Sequence, residues 1–168
     1  MNEFDIANDE ELEFPLSDGE ISGLLDAVLE HEGVSRSCMA SISVVSDVDI
    51  AETNAEWRGV EAPTDVVSLE CERPDDPDLA EGEPCELGDI VLAPAYIKAQ
   101  STRFGTTFAD ECRLLLVHGM LHLLGYDHLD DESAEAMEAL EDEILSGVPN
   151  DRTLGHVVIT RHRTEDES

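Results

Sequence analysis

Hydrophobic positions change period several times along the chain, and each change marks an element. Phe4-Asp5-Ile6 reads as a short first strand. Ile21, Leu24, Leu25, Val28 and Leu29 then fall at the three- and four-residue intervals of an amphipathic helix. Ser17 with Glu20 three residues on is the capping-box pair that starts this helix, and Gly33 stops it. From Met39 to Val45 the pattern alternates, with Ile42 and Val44 separated by serine, which predicts a strand. Ser46 or Asp47 caps a short helix through Ile50 to about Trp57, ended by Arg58-Gly59. Thr64 to Leu69 and Leu87 to Leu92 read as two further strands. Pro94 suits the first position of a helix reaching about Arg103, which Gly105 stops. From about Thr107 to Leu124 the chain is apolar almost all round, the pattern of a helix running through a core. Asp130 or Asp131 caps a last helix that turns Ala134, Met137, Leu140 and Ile144 inward and ends at Gly147-Val148-Pro149.

Two stretches lack such a pattern. Residues 70–86 hold Pro74, Pro77, Pro84, Gly82 and eight acids, and are expected to form a mobile surface loop. Residues 148–168 are expected to be a disordered tail, which leaves 1–147 as a single domain.

Charge alters this picture more than composition does. The 41 acids outweigh 9 bases for a net charge of −32. Such a chain repels itself and stays soluble, and it cannot capture nucleic acid by a broad positive surface. No DNA partner is expected. Lys98, Arg103 and Arg113 fall shortly before residue 117, and Arg58 stands alone in the first half of the predicted domain's helical segments. No apolar run approaches the ~20 residues of a membrane span, so no membrane partner is expected. The first residues lack the basic start and apolar stretch of a secretory signal, which points to the cytoplasm. Cys38, Cys71, Cys85 and Cys112 are scattered, without a Cys-x-x-Cys pair, and are expected to be free thiols.

The chemistry concentrates in Val117 to His128, which reads Val-His-Gly-Met-Leu-His-Leu-Leu-Gly-Tyr-Asp-His. His118 and His122 are four apart, about 40° of helical rotation, so both rings project from one face. Gly125 can take the left-handed conformation that ends a helix and let His128 return to the same point. Three imidazoles with one position left open make a catalytic rather than a closed structural zinc site. An all-imidazole site suits other divalent metals too. Cys112 sits about 240° round the helix from His118 and should not share the metal. The spacing is that of the metzincin proteases, whose general-base glutamate follows the first histidine. Here that position is Gly119, which weakens a peptidase reading but not the metal site. Zinc lowers the pKa of bound water to roughly 7, so a nucleophile is available without that glutamate. A phosphodiester substrate also needs cationic stabilisation, for which Arg58 is the candidate. By position alone, Arg58 equally suits a surface residue at a helix end.

His118-Gly-Met-Leu-His-Leu-Leu-Gly-Tyr-Asp-His128 resembles the YbeY family of bacterial endoribonucleases, the rRNA maturation factors. So do Asn54-Ala55-Glu56-Trp57-Arg58-Gly59, Pro63-Thr64-Asp65-Val66-Val67-Ser68 and Leu87-Gly88-Asp89-Ile90-Val91. The resemblance covers roughly residues 3–147. It implies a zincin-like α+β fold, with a mixed four-stranded sheet and helices packed around a central metal-binding helix. It implies a single-strand-specific, metal-dependent endoribonuclease in ribosome biogenesis, acting in small-subunit rRNA 3′-end maturation and rRNA quality control, with metal-bound water as the nucleophile. Single-stranded RNA, the small ribosomal subunit and its assembly factors are the implied partners. The family's zinc ligands fall on His118, His122 and His128, and its catalytic arginine on Arg58. Thr64, Asp65 and Ser68 match a family strand near the cleft, where a structural role and a catalytic one are equally open. The chain departs from the family at Ser68-Leu69-Glu70, where Ser-Phe-Pro is usual, and in its shortage of bases for a positive cleft. Two other readings stand beside this one: a metallopeptidase-like hydrolase, and a non-catalytic ribosome-assembly module with a structural metal.

Overall fold

The structure, a computed structural model, describes residues 2–126 and 131–147. Within them the chain runs β1 (Glu3–Ala7), α1 (Asp18–His31), β2 (Cys38–Val44), α2 (Asp47–Arg58), β3 (Val66–Glu70), β4 (Cys85–Leu92), α3 (Pro94–Phe104), α4 (Phe108–Leu123) and α5 (Asp131–Ser146). This is an α+β arrangement on a mixed sheet ordered β1-β2-β4-β3. The first three strands in that order are parallel, and β3 runs antiparallel along the edge. The expected tail, 148–168, lies outside the described residues, as does the expected cap Asp130.

Local chemistry sets the ends of these elements. The Ser17 side chain accepts from the Glu20 backbone while Glu20 reaches back, completing the capping box of α1. Of the two candidate caps for α2, Ser46 is the one used. Gly59 and Gly105 end α2 and α3 in the left-handed conformation, which a side chain would strain.

The two faces of the sheet are dressed unequally. On one, α1, α4 and α5 pack with Cys38, Ala40 and Ile42 of β2, Val66 of β3, and Leu87, Ile90 and Leu92 of β4. On the other, α2 brings Ile50 against a small cluster with Val67, Val91 and Ala93. Leu87 and Ile90 are three residues apart yet join one core. The register between β2 and β4 slips by one residue there, from Met39 opposite Glu86 to Ala40 opposite Gly88. The slip restores the inward alternation after an extra residue. Gly88 has φ 136°, and a Cβ there would stand 2.0 Å from the Leu69 carbonyl oxygen, so glycine is required.

Residues 70–86 differ from the mobile loop the composition suggests. Cys71 and Glu72 donate to the carbonyls of Leu87 and Glu86, extending the β3–β4 hairpin. The Arg36 guanidinium donates to the carbonyls of Pro74, Ala80 and Glu83. Leu79 is buried with the main core. Arg36 from outside the segment and Leu79 from within it hold in place a stretch whose proline and acid content suggests none of this. All four cysteines are free. Burial pushes the Cys85 thiol up to about 12 and raises Cys38 and Cys112, which disfavours the thiolate at all three.

Candidate metal centre

Helix α4 begins at Thr107, whose side chain accepts from the Asp110 backbone at 3.1 Å. Eleven of its residues are buried, so its position is fixed by the core rather than by propensity. Gly125, at φ 105°, turns the chain. Its N–H donates to the His122 carbonyl and that of Tyr126 to the Leu121 carbonyl, closing the helix end. The Arg73 guanidinium lies against this turn, where a Cβ on Gly125 would stand 3.0 Å from Arg73 Cζ.

This platform brings His118 and His122 together. Their Nε2 atoms are 3.0 Å apart, with ring planes at 81°. Two imidazoles at zinc–nitrogen distances of about 2.05 Å and a tetrahedral angle would hold their nitrogens ~3.3 Å apart. The pair therefore fits a shared divalent cation with an adjustment of a few tenths of an ångström. His118 Nδ1 lies 2.5 Å from Glu141 Oε2 on α5. A carboxylate can only accept there, so Nδ1 carries the hydrogen and the Nε2 lone pair is turned toward His122. Among the described residues no group of three metal-ligating side chains assembles. His128, the third expected ligand, lies outside them.

Gly119 faces the sheet rather than the histidines. A Cβ there would come within 3.1 Å of Ser68 Oγ and 3.2 Å of Ile90 Cγ2. A side chain at this position requires Ser68 or Ile90 to give by a few tenths of an ångström, so β3 and β4 crowd the place of the missing base.

Arg58 closes α2, on the face of the sheet opposite α4, and is exposed. It makes no hydrogen bond or ion pair with either histidine. The edge strand β3 separates the two helices and packs against both. Among the described bases Arg58 is the one left without a hydrogen-bonding or charged partner. Lys98 pairs with Glu13 at 2.7 Å, Arg113 with buried Asp110 at 2.6 Å, and Arg73 with Glu70 at 3.1 Å. Arg103 covers the Phe104 ring. Lys98, Arg103 and Arg113, the bases that fall shortly before the histidine motif, are thus engaged by the protein's own acids and rings. Asp65 is buried, accepting from the Val66 N–H at 2.7 Å and from Gln100 Nε2 at 3.1 Å, which makes it structural.

Two features were missed in the sequence. Glu141 is one of many acids in α5, yet it lies on the buried stripe with Ala134, Met137, Ile144 and Leu145. An acid at that helical phase was the available signal. His31, exposed at the end of α1, bonds Glu32 at 2.9 Å and Glu143 at 3.0 Å. Its pKa is raised above 6.5, chiefly by the Glu32 hydrogen bond against the opposing effect of burial, with Glu143 adding to the rise. Tyr126 in turn donates to Glu32. Beside the turn opens a groove of about 850 Å³ between Leu124, Gly125 and Tyr126 on one side and Arg36 and Pro74 on the other.

Comparison with known proteins adds a family to this geometry. The family model described as Endoribonuclease YbeY matches residues 5–149. A protein of Moorella thermoacetica described as Endoribonuclease YbeY is 40% identical over 147 residues, covering 84% of this chain and 94% of its own. One of Bacillus subtilis with the same description is 38% identical over 130 residues, covering 75% and 82%. In fold, the chain is similar to the solution structure of a Thermotoga maritima protein. The TM-score is 0.54 and the identity 21%, over 98% of this chain and 96% of that one.

Proposed function

The chain belongs to the YbeY family of endoribonucleases, and we propose that it hydrolyses single-stranded RNA during ribosome biogenesis at a metal centre built on α4. The reading makes α4 the metal-binding helix of a zincin-like fold. Its substrate is RNA of the small ribosomal subunit at the 3′ end, met in the cytoplasm together with assembly factors. His118 and His122, with His128, would hold one divalent cation, zinc being the choice that suits three imidazoles. When bound, that cation would supply Lewis acidity and an activated water.

The remaining work falls to the chain's own side chains. His118 and His122 fix the point at which a phosphodiester is brought to reaction. Arg58 offers a planar fork to two phosphate oxygens and offsets the charge that builds on them as the bond to the leaving oxygen breaks. With no partner among the described residues, it gives up no ion pair there to do so. An extended strand lying along the β3 edge can be met from both helices. Affinity for RNA must come from these few groups, because the other described bases are engaged.

The observation that carries this reading is the 3.0 Å approach of the two Nε2 atoms on a buried helix, in a chain of endoribonuclease kinship. The packing of Gly119 speaks against a peptidase with a helix glutamate. The test compares Arg58→Glu with the parent protein. The variant is expected to keep its metal and its melting temperature and to lose cleavage of single-stranded RNA. Undiminished cleavage would remove Arg58 from the mechanism.

A further inference from the structure

We propose that Glu141 is the positioning residue of the metal centre, fixing His118 in the one tautomer that presents Nε2 to the cation. The inference rests on the metal-centre reading above and deepens it. Glu141 is 1% exposed, and its Oε2 lies 2.5 Å from His118 Nδ1. Burying a carboxylate is costly unless it is paired and hydrogen-bonded. Its place on the apolar stripe of α5, between Met137 and Ile144, is one that an apolar side chain ordinarily fills. A charged group kept there against that cost has a partner worth the expense. His118 is that partner, and it is itself only partly exposed at 17%.

The geometry states what the pair does. An imidazole has two nitrogens, and the one that carries hydrogen cannot bind metal. With Nδ1–H donated to Glu141, the Nε2 lone pair is free and aimed at the position it shares with His122. The carboxylate also makes the ring a better electron donor and stops it rotating. In this reading Glu141 acts through its bond to His118 rather than as a ligand itself. It also explains why α5 packs on α4 just beyond the histidine motif: the helix carries the group that orients the first ligand.

The test uses the full chain with Glu141→Gln and Glu141→Leu. Zinc affinity is measured by competition with a chromophoric chelator, and the His118 tautomer by nitrogen-15 shifts of the metal-free protein. Glu141→Leu is expected to bind zinc about 10–100-fold more weakly. Glu141→Gln, which keeps a neutral acceptor, is expected to fall between it and the parent. The parent's His118 should carry its hydrogen on Nδ1, and Glu141→Leu should lose that preference. A purely structural role would lower the melting temperature without this graded affinity. Affinity unchanged in both folded variants, or a parent His118 protonated on Nε2, overturns the proposal. A parent that binds no zinc overturns the metal-centre reading itself, and the tautomer measurement then still decides whether Glu141 orients His118.

Discussion

The two faces of the sheet hold the two halves of the proposed site in different ways. On the α4 face, a continuous core from Leu16 to Leu145 surrounds the histidine helix. Its polar groups are committed: Glu141 to His118, Asp110 to Arg113, and Glu111 to Thr106. On the α2 face only Ile50, Val67, Val91 and Ala93 are fully buried together. Val48 and Trp57 remain exposed there, and Arg58 has no partner among the described residues. The difference matches the demands on each side. Metal ligands must be held within fractions of an ångström by rigid surroundings. A side chain that takes up phosphate must be reachable and uncommitted.

The comparison can be broken first on the α4 face. His118→Ala or His122→Ala is expected to lose both metal and RNA cleavage while the core keeps the fold, as read by metal analysis and circular dichroism. The next largest effect is on the other face. Arg58→Glu is expected to lower single-strand cleavage by about 10²–10³-fold, the scale of losing one charge-stabilising group. Its thermal melt should not move, because Arg58 is exposed at a helix end.

Stability measurements sharpen the contrast. Leu116 is fully buried in the core on α4. Leu116→Ala is expected to cost roughly 2–5 kcal/mol by denaturant unfolding. Gly119→Ala, which forces a methyl against Ser68 and Ile90, is expected to cost about 1–3 kcal/mol. Ser46→Ala removes the cap of α2 on the thin face and is expected to cost about 1 kcal/mol.

The smallest effect is a pH dependence. His31 joins α1 to α5 through Glu143 and has a folded pKa above its usual value. Its stabilising contribution is full below about pH 6.5 and is lost as pH rises through the folded value. A slight fall in melting temperature from roughly pH 6 to 8 is expected, and it should be absent in His31→Ala. Solvent exposure keeps the change small.

Most of the architecture could be read from spacing and caps. Ser17 with Glu20, Pro94, Gly59 and Gly105 each name an element's end because each answers a local backbone need. His118 and His122 were readable for the same reason: helical phase alone puts them on one face. What spacing cannot show is which of several similar groups is buried. Leu79, from within a run of acids and prolines, and Arg36, from the distant turn before β2, anchor the 70–86 segment. Helical phase sets Glu141 apart from Glu138 and Glu143, but that it meets His118 is shown only by the packing of α5 on α4. Nor can composition tell which bases are spent. Lys98 and Arg113 looked available to RNA until the structure paired them with Glu13 and Asp110.

The shortage of free bases changes how a protein of charge −32 can act on RNA. With most described arginines and its lysine engaged, attraction over distance is weak. Recognition then depends on the metal centre, on Arg58, and on delivery of the strand by a ribosomal partner. Salt should therefore depress activity less than it does for a nuclease with a basic cleft.

The most direct measurement is cleavage of one single-stranded RNA and its duplex by metal-loaded protein. The parent is compared with the variant in which His118, His122 and His128 are all alanine. The parent is expected to cut the single strand and spare the duplex, and the variant to cut neither. Full activity in the triple variant would contradict a reaction centred on these histidines.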